Sequence, residues 1–109
     1  MSESVSSAAS READQVFDRV AEVFGLLSSP MRLRIVSELC PGELCVSQLS
    51  ERLGIPQPNV SQHLAMLYRA GAVIRRRDGS QVFYRIGGTK LSAICRSICA
   101  SFELPSLAR

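Results

Sequence analysis

The stretch that decides the fold is residues 56–71, which read PQPNVSQHLAMLYRAG. Pro58 lies near its start, and proline favours the first turn of a helix, where its missing N–H costs no hydrogen bond. Gly71 lies where a helix ends in a left-handed cap. Four apolar residues between them recur at helical spacing and predict a buried face: Val60, Leu64, Leu67 and Ala70. The stretch therefore predicts one amphipathic helix with both ends marked.

The other face of this helix is polar and carries no carboxylate. Its first turns hold short side chains that donate and accept hydrogen bonds: Asn59, Ser61, Gln62 and His63. Such groups near a helix N-terminus suit contact with a base edge or a phosphate. Gln57, at the start of the stretch, belongs to the same candidate set. A solvated helix face is the alternative interpretation of this pattern taken alone.

The charges of the chain are unevenly distributed. Residues 1–51 carry four basic and eight acidic side chains, a net charge of −4, whereas residues 52–109 carry nine basic and two acidic ones, a net charge of +7. The basic part contains the predicted helix, which is typical of a protein that binds a polyanion. The alternative, a solvated basic surface, does not require basic residues to flank that helix.

Other helices are predicted from apolar spacing and capping residues over residues 12–27, 31–39, 46–53 and 90–102. The second of them is expected to bury Leu33, Ile35, Val36 and Leu39. The third ends at Gly54, and a tight turn joins it to the helix described above. Two short helices joined in this way, the second polar at its N-terminus, predict a helix-turn-helix.

A basic β-hairpin is predicted directly after this motif. Its strands cover residues 72–77 and 81–86, and Asp78-Gly79 is a strong hairpin turn signal. The strands carry four arginines: Arg75, Arg76, Arg77 and Arg85. A basic two-stranded ribbon behind a recognition helix is typical of a wing that contacts the neighbouring backbone or minor groove. The predicted fold class is mainly α with a β-hairpin wing, a winged helix-turn-helix of about five helices and two strands.

Several classes of protein are not expected. No run of about 18 apolar residues is present, so no membrane association is predicted. The small, polar N-terminus lacks the order of a signal peptide, which favours a cytoplasmic protein with reduced thiols. An enzyme is not expected, because the chain has no Cys-x-x-Cys, no metal triad and no glycine-rich phosphate loop. A winged helix that binds a protein instead of DNA is a further alternative, against which the basic wing argues.

The order and residues of these elements resemble the arsenic-repressor (ArsR/SmtB) family of dimeric winged-helix repressors in bacteria. The resemblance covers roughly residues 15–102 and rests on PMRLRI at 30–35, GELCVSQL at 42–49, QP at 57–58, SQHL at 61–64 and the segment from AG at 70–71 to FYR at 83–85. It implies that Ser61, Gln62 and His63 approach bases and that the wing holds phosphates. It also implies a homodimer formed by the first and last helices, with an inverted repeat of double-stranded operator DNA as partner.

On this interpretation the chain has three parts. Residues 1–11 are an N-terminal segment expected to be disordered, residues 12–103 form the winged-helix DNA-binding and dimerisation domain, and residues 104–109 are a C-terminal tail.

Four thiols are candidates for sensing an inducer: Cys40, Cys45, Cys95 and Cys99. Buried cysteines that act as small hydrophobes are the alternative. Cys45 falls at the predicted N-cap of the helix of residues 46–53, where unpaired N–H groups and the helix dipole lower a thiol pKa. We therefore expect Cys45 to be partly thiolate, nucleophilic and able to bind metal.

The arsenic-sensing members of the family carry Cys-Val-Cys at this point, whereas residues 45–47 here read CVS. Cys40, across the turn that follows the second helix, is a candidate substitute for the missing ligand. Cys95 and Cys99 lie four residues apart on the predicted last helix, with Cβ atoms ~5–6 Å apart. That exceeds the ~3.5–4.5 Å of a disulfide, although one larger soft atom can bridge the two thiols.

The predicted function is a repressor that a cysteine-mediated signal releases from its operator. A soft metalloid, As(III) or Sb(III), is slightly favoured as inducer, and no cofactor is required. Sensing of thiol oxidation or reactive sulfur is the alternative within the same fold, with Cys40 and Cys99 as the pair. A zinc or nickel sensor is disfavoured, because such members of the family place His and carboxylates on the last helix. Here that helix has no His and Glu103 is its only acid.

Overall fold

The computed structural model describes residues 7–88 and, beyond them, residues 93, 94, 97 and 100. Its helices and strands, in chain order, are α1 (Ser7–Leu26), α2 (Pro30–Leu39), β1 (Leu44–Cys45), α3 (Val46–Leu53), α4 (Gln57–Arg69), β2 (Val73–Asp78) and β3 (Gln81–Ile86). This architecture confirms the predicted winged helix-turn-helix. Most of the predicted last helix, with Cys95 and Cys99, lies outside the described residues. No helix within the described ranges combines the length and apolar character of a membrane span.

The first helix begins at Ser7, five residues before the predicted start at residue 12. The expectation of disorder up to residue 11 is therefore wrong for residues 7–11, which are helical. Serine-rich composition suggested disorder, but Ala9 and Ala13 are strong helix formers and continue the helix toward the N-terminus. The division of the chain into three parts stays a prediction.

The helix-turn-helix has bounds close to those predicted. The third helix covers residues 46–53 as expected, and Gly54 follows it with φ of 69°, a left-handed conformation that glycine adopts without strain. The fourth helix begins at Gln57, with Pro56 as its N-cap and Pro58 in its first turn. The backbone leaves it through Gly71, whose φ of 79° matches the predicted left-handed cap.

Helices α2, α3 and α4 and the start of β2 enclose one apolar core. Its largest fully buried side chains are Ile35, Val36, Leu39, Leu49, Val60, Leu64, Leu67 and Val73. Two predicted core positions are wrong. Leu33 is partly exposed, because it lies roughly 200° around α2 from Ile35. Ala70 is exposed because it follows the last residue of α4 and no longer shares its buried face.

One carboxylate lies in this core. Glu38 is 2% exposed, and its Oε1 lies 3.4 Å from Nη1 of Arg52. Taking a carboxylate out of water is costly unless a cation compensates, and the half-exposed Arg52 places its guanidinium within hydrogen-bonding reach of Glu38. The pair joins α2 to α3, and apolar spacing did not predict it.

The wing belongs to a three-stranded antiparallel sheet with the order β1-β3-β2. Asp78 pairs with Gln81, so the two-residue loop is Gly79-Ser80, one residue later than the predicted turn. Glycine with positive φ at the first loop position fits the twist of the hairpin. The short strand β1 was not predicted, because two residues are too few for an alternating pattern.

Candidate nucleic-acid interface

The N-terminal turns of α4 present polar groups to solvent. Val60, Leu64 and Leu67 are buried and fix the rotation of the helix against the core. With that side of α4 against the core, four of the predicted site residues are exposed on its first turns: Gln57, Asn59, Ser61 and Gln62. No acidic residue lies in the first turn, so its N–H groups and the positive end of the helix dipole favour an anion.

His63 differs from its neighbours on α4. Its side chain is half-buried, and its Nδ1 is buried with no hydrogen-bond partner among the described residues. The helix therefore presents His63 less fully than Gln62, and Nε2 is the ring nitrogen left for a ligand.

A groove separates the start of α4 from the tip of the hairpin, and we call it the α4–wing groove. Its lining comes from three elements: Gln57 and Ser61 of α4, Cys45 and Ser47 at the start of α3, and Gln81 and Val82 of β3. Residues four apart on a helix share one side, which explains why Gln57 and Ser61 line the groove together. The groove therefore brings the predicted recognition helix, the wing and one candidate thiol to the same surface.

The four wing arginines divide between the two faces of the sheet. Successive residues of a strand point to opposite faces, and the buried side chains of Val73 and Tyr84 mark the face toward the core. Arg75 and Arg77 share that face, because Arg75 pairs with Tyr84 and Arg77 with Val82. The other two arginines, Arg76 and Arg85, lie on the outer face.

Arg75 holds the wing against α4. Its guanidinium lies over the ring of Tyr68 at 3.9 Å from the centroid, a distance at which cation and ring attract. Arg77, nearer the tip, makes no hydrogen bond or ion pair with any described residue. Its partner across the strands, Val82, lines the α4–wing groove. Arg77 is thus a cation on the groove side whose hydrogen-bonding groups remain available.

Arg76 is engaged on the outer face. Its Nε donates to both carboxylate oxygens of Glu43, at 3.0 and 3.1 Å, and its Nη2 donates to Oε1 of the same side chain. Its Nη1 lies 3.7 Å from Oδ2 of Asp78. The hydrogen bonds from Arg76 hold the pKa of Glu43 below its usual value, and the charges of Arg76 and Arg85 add to this effect.

Cys45 is the N-cap of α3, as predicted, and it is buried. Its N–H donates to Oε1 of Gln48 at 2.9 Å, and its Sγ lies 3.1 Å from Oγ of Ser47. Burial raises the pKa of the Cys45 thiol, but hydrogen bonds from the Ser47 hydroxyl and from the N–H groups of Gln48 and Ser47 outweigh it. The pKa of Cys45 therefore lies below its usual value.

Cys40, the other candidate thiol among the described residues, does not line the groove. Cys40 is half-buried and is the C-cap of α2. The proposed roles of Cys95 and Cys99 stay predictions, because both residues lie outside the described part of the chain. Among the described residues, no three His, Cys, Asp or Glu side chains are grouped to hold a metal ion.

Two contributors to the interface were missed by sequence reasoning. Tyr68 supports Arg75, and Glu43 binds Arg76, but neither residue belongs to a motif. The separation of 33 positions between Glu43 and Arg76 leaves no local signal. Only the pairing of β1 with β3 brings Glu43 to the sheet.

Comparison with known proteins identifies relatives of the whole winged helix. The profile described as "Bacterial regulatory protein, arsR family" matches residues 29–75. The HTH-type transcriptional repressor SmtB of Mycobacterium tuberculosis is 39% identical over 80 residues, which are 73% of this chain and 59% of SmtB. The chain thus spans about three fifths of that relative. The Biofilm growth-associated repressor of Xylella fastidiosa is 36% identical over 85 residues, or 78% of this chain and 75% of that protein.

Solved structures show the same likeness. Reduced HlyU from Vibrio cholerae has a TM-score of 0.80 and 30% identity, over 84% of this chain and 97% of HlyU. The transcriptional repressor BigR from Xylella fastidiosa has a TM-score of 0.76 and 34% identity, over 84% of this chain and 94% of BigR. The relatives named as repressors are DNA-binding regulators and not enzymes, which agrees with the prediction that the chain is not an enzyme. With these similarities along most of its length, the chain belongs to the ArsR family of winged helix-turn-helix transcriptional regulators.

Proposed function

We propose that the protein is a homodimeric transcriptional repressor that binds operator DNA in the bacterial cytoplasm with α4 and the wing. The observation that carries this proposal is the α4–wing groove, which exposed polar side chains of α4 line together with Val82, the strand partner of Arg77. BigR, of which this chain covers 94%, is described as a transcriptional repressor. The groove supplies what a repressor needs, namely groups for base edges beside groups for phosphates.

The residues divide into base-contacting and phosphate-contacting sets. Asn59, Ser61 and Gln62 are exposed on the first turns of α4 and suit base edges in the major groove. His63 joins this set through Nε2, because Nδ1 is buried. Phosphates are contacted by Gln57 at the helix N-terminus and by the wing arginines of the groove side, above all Arg77.

Replacing Gln62 with alanine should weaken binding to a specific site by roughly 5- to 150-fold, the worth of one bidentate base contact. Binding to unrelated DNA should change little, because phosphates supply most of that affinity. Fluorescence anisotropy can measure both affinities with a duplex selected in vitro from random DNA by the wild-type protein (the selected duplex) and with a scrambled duplex of equal length. Gln15→Ala, an exposed glutamine of α1, is the control. Equal losses on the two duplexes would contradict a base-reading role.

The proposed dimer follows from the exposed apolar face of α1. Val16, Phe17, Val20 and Phe24 are 44–70% exposed and lie along one side of this 20-residue helix. An apolar helix face of this length is normally covered. A structural relative from Mycobacterium bovis, 27% identical with a TM-score of 0.76, is described as a homodimeric winged helix-turn-helix DNA-binding domain. A two-fold dimer would bind an inverted repeat whose half-sites lie about one helical turn apart.

The proposed inducer acts on cysteine, with As(III) or Sb(III) slightly favoured and no cofactor required. Cys45 supports this choice, because its thiol has a lowered pKa and borders the α4–wing groove. An adduct at Sγ would need the space and the hydrogen bond that Ser47 now occupies, beside Gln57 and Ser61. Such an inducer binds the DNA-free state more tightly and so lowers the affinity for DNA by the same factor. Oxidation or sulfuration of the thiols remains the second candidate, since HlyU was solved in a reduced form.

We expect arsenite or antimonite to release the wild-type protein from the selected duplex and to leave a Cys45→Ser variant bound. A Ser47→Ala variant should need a higher pH for the same release, because losing the hydroxyl raises the pKa of Cys45 and less thiolate is present at a given pH. Gel shifts with each cysteine changed to serine in turn measure this. Release by peroxide or polysulfide alone would favour the second candidate. If every serine variant responds like the wild type, no thiol is the sensor.

A further inference from the structure

We propose that Arg76 is a positioning residue of the wing: its ion pair with Glu43 fixes the hairpin against the start of α3, while Arg77 contacts phosphate. The inference rests on the proposed DNA binding and assigns different roles to two adjacent arginines that the sequence does not distinguish. It also gives a role to Glu43, an acidic residue near a surface proposed to bind a polyanion.

Glu43 occupies one edge of the Arg76 guanidinium. Nε and Nη2 both donate to the carboxylate of Glu43, and Nη1 faces Asp78 at 3.7 Å. The guanidinium also lies 5.0 Å from the ring centroid of Phe83 on the same face. A guanidinium and a carboxylate are both planar and can form two parallel N–H···O hydrogen bonds. Such a pair fixes the relative orientation of the two side chains better than a single ionic contact does. A phosphate that bound the Nε–Nη2 edge of Arg76 would have to displace Glu43.

The topology shows which strands this pair connects. Strand β1 leads directly into α3. It pairs with β3 of the hairpin at only two positions, Leu44 with Tyr84 and Cys45 with Phe83. Glu43 directly precedes β1 at one edge of the sheet, and Arg76 lies on β2 at the other edge. Their ion pair therefore spans β3 and holds all three strands together. Because Cys45 is the N-cap of α3, the same pair connects the wing to the helix-turn-helix.

Arg77 lies on the opposite face of the same strand. It pairs with Val82, which lines the α4–wing groove, and no described residue bonds to its guanidinium. Arg76 and Arg77 carry the same charge at neighbouring positions, so a difference between their variants reflects geometry rather than total charge.

The two roles predict opposite signs when Glu43 is neutralised. If Arg76 contacted phosphate, Glu43→Gln would free its guanidinium and remove a negative charge near DNA, and binding would tighten. If Arg76 positions the wing, the same substitution loosens the hairpin and binding weakens. Glu51→Gln, which neutralises an exposed acid of α3 with no ion pair to a described residue, controls for the change in net charge.

The experiment measures the affinity of the full-length protein for the selected duplex over a series of salt concentrations. We expect Glu43→Gln and Arg76→Ala each to weaken binding by about two- to fivefold, the range for an exposed ion pair, with the salt slope of the wild type. The double variant should be no weaker than either single variant, because both remove one interaction. Arg77→Ala should instead reduce the slope of log affinity against log salt by about 1.

Amide hydrogen exchange of the free protein tests the role of the ion pair in the absence of DNA. The amides of β1 and β3 should exchange faster in Glu43→Gln and Arg76→Ala than in the wild type, and at the wild-type rate in Arg77→Ala. Unchanged exchange, tighter binding by Glu43→Gln, or a salt slope reduced by Arg76→Ala as by Arg77→Ala would each overturn the proposal. Equal wild-type affinity for the selected and scrambled duplexes would instead contradict the proposed function, and the exchange rates would still decide the role of the pair.

Discussion

Phe17→Asp should yield a folded monomer whose affinity for the selected duplex is lower by about 10²–10⁴-fold, the usual gain from linking two binding events. Phe17 is 70% exposed on α1, so an aspartate there meets water in the single protomer and leaves its core unchanged. Between two protomers the same carboxylate would be buried against Val20 and Phe24 without a cation, which is costly. Each half-site would then be bound by one independent winged helix.

The matched control for this variant is Gln15→Asp. Gln15 lies on the same helix but roughly 140° away from Val20, so the same acid is placed outside the apolar face. Light scattering after gel filtration gives the mass of each variant, and anisotropy with the selected duplex gives its affinity. A Phe17→Asp protein that keeps the dimer mass and the wild-type affinity would show that α1 does not form the interface.

The parts of the fold that sequence predicted well are those with local causes. The ends of α3 and α4 follow from Gly54, Pro58 and Gly71, each of which acts through its own backbone conformation. The hairpin follows from alternation and from one glycine at its turn. In these places a few adjacent residues decide the structure, so a single sequence contains the information.

The parts that sequence did not predict depend on residues far apart in the chain. Glu38 is buried because Arg52 of another helix reaches it, and no pattern within α2 shows that. Glu43 joins the interface because two residues of β1 pair with the wing. The sequence does not distinguish the four arginines of the wing. The strand register places them on two faces of the sheet, and on one of these faces Glu43 binds Arg76. The candidate base-contacting residues were predicted from their chemistry, but only packing distinguishes the half-buried His63 from the exposed Gln62.

Leu64→Ala should lower the free energy of unfolding by ~2–5 kcal/mol, because Leu64 is 0% exposed at the centre of the core and alanine leaves a cavity. A domain of this size is stable by only ~5–15 kcal/mol, so the variant approaches the limit of folding. Urea unfolding followed by circular dichroism, at one protomer concentration, gives the change as a lower midpoint with the slope unchanged.

Gln62→Ala is the matched control for Leu64→Ala, since it lies two residues earlier on the same helix and on its exposed face. Its unfolding free energy should stay within about 0.5 kcal/mol of the wild type, as for other surface substitutions. Together the two variants separate the support that the buried face of α4 gives to the fold from the DNA contacts that we propose for its exposed face. If Gln62→Ala lowered the free energy of unfolding as much as Leu64→Ala, its loss of specific binding would be explained by the loss of stability. The assignment of Gln62 to a base edge would then be wrong.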